Sequence, residues 1–236
     1  MKSILFIFGF FLTSQGIALE GLLHRFHVQE SLALGGVKDV TLLLFTRRVY
    51  RSSEDSAYQL VMKKGEKFRI ESTDLQEPLI IGRGKEVWSI FPSTEPLRTL
   101  FRERVRYPLL PKWSELIPKE SEIIETDKIE ERLSYKIEVK RTWLSPFSTF
   151  YVDLAEPWVL RVKGRGGLMI NYSDYREIAP HLSIPFCIDI FQRDMLAQRV
   201  VKFVEIDQGL PDILFDLEKG REFREIPRVI EKFKNP

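Results

Sequence analysis

Two periodicities divide this chain. Leu19, Leu22, Leu23, Phe26 and Ala33 recur at helical spacing, an apolar stripe that predicts an amphipathic helix ended by Gly35-Gly36. Beyond it the period falls to two. Phe68 and Ile70 alternate with Lys67, Arg69 and Glu71, and Tyr135, Ile137 and Val139 alternate with Lys136, Glu138 and Lys140. Trp158, Leu160 and Val162 alternate with Val159, Arg161 and Lys163, and Phe186, Ile188 and Ile190 with Cys187 and Asp189. Successive side chains of a strand point to opposite faces, so each segment is expected to bury one face and wet the other.

Turn signals separate these runs at hairpin distances: Arg51 to Ser56, Lys63-Lys64-Gly65-Glu66, Gly82-Arg83-Gly84-Lys85, Gly164-Arg165-Gly166-Gly167 and Asp207-Gln208-Gly209. Together they predict about eleven strands in an antiparallel meander that closes into a barrel or sandwich. Strands do not alternate with helices, which excludes a Rossmann-like sheet. One insertion breaks the meander between Pro92 and Pro118. Ser93 or Thr94 can cap a helix there, with Pro96 in its first turn, Leu97, Leu100, Phe101 and Val105 on one face, and Arg98, Arg102 and Arg106 elsewhere. Trp113, Leu116 and Ile117 resume the stripe after Pro108 and Pro111. Two short helices over residues 94–117 are a natural cover for an open barrel end.

The N-terminus reads as an export signal. Lys2 precedes the apolar run Ile4 to Leu12, and Gly16 and Ala18 place small residues before a cut at Leu19. The run is too short for a helix crossing ~30 Å of hydrocarbon. Cleavage near Ala18 leaves a nearly neutral, exported chain, and a cytosolic metabolic enzyme is not expected.

Composition narrows the chemistry further. Hydrophobic residues make up 44% and charged residues 30%, which excludes intrinsic disorder. The formal charge of +2, from 36 basic and 34 acidic residues, carries no nucleic-acid signature. A single cysteine, Cys187, forbids a disulfide framework, and three histidines (His24, His27, His181) are too few for a histidine-rich metal centre. Gly82-x-Gly84-Lys85 lacks the spacing of a phosphate loop and is followed by a strand, so it reads as a hairpin turn. There is no Gly-x-Ser-x-Gly or His-Glu-x-x-His. No enzyme, metal or cofactor is expected. Aromatic residues, 12% of the chain, supply much ring surface, and a barrel lined with them and crossed by a lid can hold an apolar ligand.

The order of motifs resembles the periplasmic outer-membrane lipoprotein carriers, a LolA-like family related to LolB and RseB-type domains. The resemblance starts with the N-terminal helix and Val61-Met62-Lys63-Lys64-Gly65-Glu66-Lys67-Phe68-Arg69-Ile70-Glu71. Gly82-Arg83-Gly84-Lys85-Glu86-Val87-Trp88-Ser89-Ile90-Phe91-Pro92 follows, then the helical insertion. Tyr151-Val152-Asp153, Pro157 to Arg161, Tyr172-Ser173-Asp174-Tyr175 and Leu210 to Phe215 continue it, so that it covers roughly residues 19–216.

The family implies a mainly β fold: an incomplete antiparallel β-barrel of about eleven strands covered by short helices that form a lid. It also implies a monomeric carrier of lipoprotein acyl chains or another lipid. Such a carrier is loaded by an inner-membrane lipoprotein-releasing transporter and emptied by an outer-membrane receptor. An arginine that latches the lid in the family is replaced here by Lys64, which lacks the planar fork of a guanidinium. Phe68 and Ile70, expected on the same strand face as Lys64, are candidate cavity residues with Trp88, Ile90, Leu97, Leu100, Phe101 and Trp113. Residues 217–236 match nothing in the family and are expected to form a short helix packed outside. The alternative reading is an envelope sensor or adaptor that docks a protein partner.

Overall fold

The β-branched and aromatic runs form strands and pair with their sequence neighbours, as hairpin-length turns dictate. The computed structural model describes residues 3–51, 53–74, 79–84, 86–90, 95–96, 112–140, 145, 147–193 and 195–234. Helix α1 (Ser3–Gly36) leads into a single antiparallel sheet. Its strands are β1 (Asp39–Val49), β2 (Glu54–Lys64), β3 (Lys67–Ser72), β4 (Ile80–Arg83), β5 (Glu86–Ser89) and β6 (Glu95–Pro96). After the short helix α2 (Trp113–Leu116) come β7 (Glu122–Ile129), β8 (Arg132–Glu138), β9 (Phe147–Asp153) and β10 (Val159–Gly164). The last three strands are β11 (Met169–Ala179), β12 (Leu182–Gln192) and β13 (Met195–Ile206), and helix α3 (Ile226–Lys234) closes the chain.

Spatial order is β6-β5-β4-β3-β2-β1-β13-β12-β11-β10-β9-β8-β7. The first and last strands therefore pair in the middle of the sheet, from Val40↔Ile206 to Val49↔Leu196. Its free edges are β6 and β7, which do not pair with each other among the described residues, so the barrel is incomplete. The strands number thirteen against about eleven expected. One of the extra strands, the two-residue β6, stands where a capped helix was expected; Pro96, which lacks a donor, sits on the sheet edge, where none is needed. The second expected lid helix is present as α2, whereas Leu97, Leu100 and Phe101 lie outside the described residues.

The predicted helical stripe is the face that α1 buries. Leu19, Leu22 and Phe26 pack with Phe150, Val152, Val159, Val162, Ile170, Ile188 and Ile190 of the concave sheet face. The concave side continues past the α1 end as a second cluster, Val40, Leu42, Leu44, Val61, Phe68, Ile70, Val87 and Ile184. Buried aliphatic and aromatic side chains of this kind contribute about 1.5–3 kcal/mol each.

The convex face is also covered, which an amphipathic strand pattern does not foresee. Leu43, Leu60 and Met62 pack beneath Leu214, Phe215, Ile226 and Val229 of the C-terminal segment. That segment packs outside the sheet and ends in a short helix, α3, as expected. Asp39 anchors its start, accepting from the backbone N–H of Gln208 (2.9 Å), Gly209 (3.0 Å) and Leu210 (3.2 Å). Lys67 reaches Asp212 at 2.8 Å.

Arg69 and Glu71, both read from the sequence as wetted positions, have fully buried side chains. Arg69 donates from Nε to Glu71 Oε1 (2.6 Å) and from Nη1 to the carbonyls of Leu214 (2.8 Å) and Gly220 (2.7 Å). Its Nη2 donates to the carbonyl of Phe223 (2.5 Å). The Glu71 carboxylate accepts from the N–H groups of Glu225 (3.0 Å) and Ile226 (3.0 Å) at the start of α3, where a helix favours negative charge.

Candidate functional site

Between α1, α2 and the β1–β12 side of the concave face lies a cleft open to solvent. Phe26 and Ala33 of α1 form one wall, Trp113 of α2 another, and Val40, Tyr172 and Ile184 the floor. Trp158 and Tyr175 stand at its rim with rings stacked 4.6 Å apart, and the Arg132 guanidinium lies 4.7 Å from the Trp158 ring centre. The Tyr175 hydroxyl donates to the Val159 carbonyl at 2.7 Å, which fixes its ring. Burial pushes the Tyr172 and Tyr175 hydroxyls far above the ordinary tyrosine range, so both are neutral donors. Trp113 meets Phe150 and Tyr172 edge-on, at 6.4 and 5.6 Å between ring centres.

Local backbone features set these positions. Tyr172 and Tyr175 are three apart on β11, a spacing that places two side chains on opposite faces of a regular strand. Asp174 between them is left-handed, with φ 53°, and this change of hand lets both tyrosines line the cleft. A register shift in β10 between Val159 and Arg161 acts likewise on the predicted set Trp158, Leu160 and Val162. Val159 and Val162 both pack beneath α1, whereas Leu160 joins Tyr151 and Trp158 in a separate cluster.

Helix α2 is tied to α1 by Glu30. Its carboxylate accepts from the Ser114 N–H (3.2 Å) and from the Ser114 hydroxyl. Burial raises the pKa of Glu30 above the ordinary glutamate value, partly offset by these hydrogen bonds. At the other end of the cleft Arg25 donates to the carbonyls of Leu154 (3.2 Å) and Ala155, holding α1 to the turn before Trp158.

The expected site residues divide into five groups. Trp113 lines the cleft directly. Phe68 and Ile70 belong to the apolar cluster that shares Val40 and Ile184 with it. The β5 residue on their face is Val87 rather than Trp88: Val87 pairs with Gly82, and Gly82 with Phe68, whereas Trp88 pairs with Ile81 on the other face. Ile90 likewise packs with Leu79, Ile81 and Leu217. Lys64 does not share a face with Phe68 and Ile70. It pairs with Lys67 across the Gly65-Glu66 turn, which resets the alternation, and its ammonium donates to the Leu210 carbonyl at 2.7 Å. Leu97, Leu100 and Phe101 fall outside the described residues.

Phe26, Glu30, Lys112, Trp158, Tyr172 and Tyr175 were not singled out as cleft residues by sequence reasoning. Phe26 stood in the predicted helical stripe, and Trp158, Tyr172 and Tyr175 in the motifs that resemble the family; nothing in the sequence brings α1 to β11.

No protein-family model matches the chain, and no curated protein does. Solved structures do. A putative outer membrane lipoprotein-sorting protein domain from Vibrio parahaemolyticus superposes with a TM-score of 0.61 at 9% identity, over 81% of this chain and 94% of that one. A DUF1329 family protein from Desulfovibrio piger gives 0.60 at 10% identity, covering 84% and 96%. A LolA superfamily protein from Nitrosomonas europaea gives 0.53 at 13% identity, covering 76% and 90%. Identities this low speak for architecture alone: the chain has the LolA-like fold, an open antiparallel half-barrel with a helix against its concave face.

Proposed function

We propose that this protein is an exported carrier that sequesters acyl chains in its concave cleft and conveys them towards the outer membrane. The observation that carries this reading is the cleft itself, walled by Phe26, Trp113, Trp158, Tyr172 and Tyr175, in a half-barrel whose β6 and β7 edges do not pair among the described residues. Transfer of acyl methylenes from water contributes ~0.8 kcal/mol per CH₂, so a chain needs greasy walls rather than polar readout. Loading and release are binding steps with no bond made or broken. Lipoproteins are the proposed cargo. A lipoprotein-releasing transporter of the inner membrane is the source and an outer-membrane receptor the destination. Signal cleavage after Ala18 shortens α1 but keeps the part from Leu19 onward, whose apolar residues face the sheet.

The test is to export the protein to a bacterial periplasm, purify it without detergent, and record native mass spectra before and after organic extraction. A bound mass resolving into acylated peptide or lipid supports the carrier. An apo mass at every loading condition, together with a stable complex in a partner pull-down, supports the adaptor reading and removes the carrier.

A further inference from the structure

The polar groups around the cleft are unevenly available to a ligand. Its lining holds three lysines, Lys38, Lys63 and Lys112, and two carboxylates, Glu30 and Asp39. Both carboxylates are committed inside the protein. Asp39 is buried and accepts the three N–H groups of residues 208–210, so its oxygens turn to the C-terminal segment. Glu30 accepts from Ser114 N–H and hydroxyl, and burial favours its neutral form. Lys112 stands 3.6 Å from Glu66 and 3.5 Å from Glu115, whose exposed carboxylates lie outside the lining and are readily exchanged for another anion. Lys38 is exposed beside the apolar Val37 and Val40. A chain lying on the aromatic floor thus ends at a rim where Lys38 and Lys112 present positive charge.

We propose that the cleft selects amphiphiles with an anionic headgroup, a carboxylate or phosphate held by Lys38 and Lys112 while the chain lies against Trp113, Tyr172 and Tyr175. This rests on the acyl-carrier reading alone and competes with its lipoprotein cargo, whose ester- and amide-linked chains carry no such headgroup. Opposite charge at a partly desolvated rim strengthens binding and makes it depend on salt.

Delipidated protein is titrated with palmitate, with methyl palmitate and with inorganic phosphate, binding being read from tryptophan fluorescence and calorimetry at low and high ionic strength. Palmitate is expected to bind about tenfold tighter than its ester, with the gap narrowing at high salt and closing in the Lys38→Gln/Lys112→Gln protein. Phosphate alone is expected not to compete. Equal binding of acid and ester overturns the headgroup preference and leaves the carrier reading standing. Binding of neither removes the carrier reading. Competition by phosphate at comparable concentration overturns the proposal in favour of a plain anion site.

Discussion

Arg69 and Glu71 are neighbours on one face of β3, both wholly withdrawn from water, with Nε and Oε1 2.6 Å apart. Removing one partner of such a pair leaves the other charge buried, which costs about 3–5 kcal/mol. Arg69→Met also strips three carbonyls of their donor. The expected result is a loss of that size in unfolding free energy, read as a lower urea midpoint, with residues 207–234 cut by protease before the sheet. An unchanged midpoint would show that the C-terminal segment is held by its apolar contacts alone.

Gly82 exists for Phe68. A Cβ at position 82 meets the Phe68 ring at 2.2 Å, so Gly82→Ala overpacks the concave face and is expected to cost about 1–3 kcal/mol. Phe68→Ala opens that space. In the double variant the two losses should therefore fall short of their sum by about 0.5–3 kcal/mol. Strict additivity in denaturation measurements would contradict this contact.

Trp113 and Trp158 line the cleft, whereas Trp88 pairs with Ile81 on the opposite face. A chain entering the cleft should change the emission of the first two. Trp113→Phe and Trp158→Phe are each expected to reduce the palmitate-induced signal, and Trp88→Phe to leave it intact. A signal lost only with Trp88 would move the binding site to the convex side.

Glu30 gives the α1–α2 contact a pH dependence of defined sign. A carboxyl whose folded pKa lies above its unfolded one stabilises fully below the unfolded value and loses that contribution as pH rises through the folded one. The groups around it are the N–H groups of Trp113 and Ser114, the Ser114 hydroxyl and the Glu115 carboxylate, with Lys112 lining the same cleft. Hydrogen exchange at Ser114 N–H should accelerate, beyond its intrinsic pH trend, from the ordinary glutamate range upward. Glu30→Gln should flatten that extra dependence. A wild-type profile that already follows the intrinsic trend would take Glu30 out of the contact.

Lys64 tests a correction. Lys64→Met removes a donor to Leu210 and a 3.4 Å approach to Asp212, both part-exposed, so the expected loss is within about 1 kcal/mol and palmitate affinity is unchanged. Loss of palmitate binding with an intact fold would restore Lys64 to the site.

What the chain's pattern discloses is local. The stripe Leu19, Leu22, Phe26 and Ala33 is buried as read, and the hairpins at Gly65 and Gly84 carry the positive φ that their glycines invite. Errors arise where alternation is interrupted or a face is reused. Lys64 was counted straight through a turn, and Val162 through a register shift. Trp88 was expected in the cavity, though pairing gives Val87 the concave face. Arg69 and Glu71 fit a wetted strand face until the C-terminal segment returns over it, an event about 145–155 residues away with no local signature. The cleft was foreseeable as a type of cavity, but its aromatic wall depends on the left-handed turn at Asp174 and on α1 lying against β11 and β12.

The sheet order places the seam and the slot at opposite ends of the chain's logic. Its two extremes in sequence, β1 and β13, are zipped together along ten residue pairs from Val40 to Val49, while the discontinuity falls between β6 and β7, in mid-sequence. Among the described residues no ladder joins those two edges, so they can spread or approach without rupture of one. A half-barrel built this way behaves like a clasp riveted at its back: the β1–β13 ladder joins its two halves, and among the described residues no ladder sets the distance between the β6 and β7 edges.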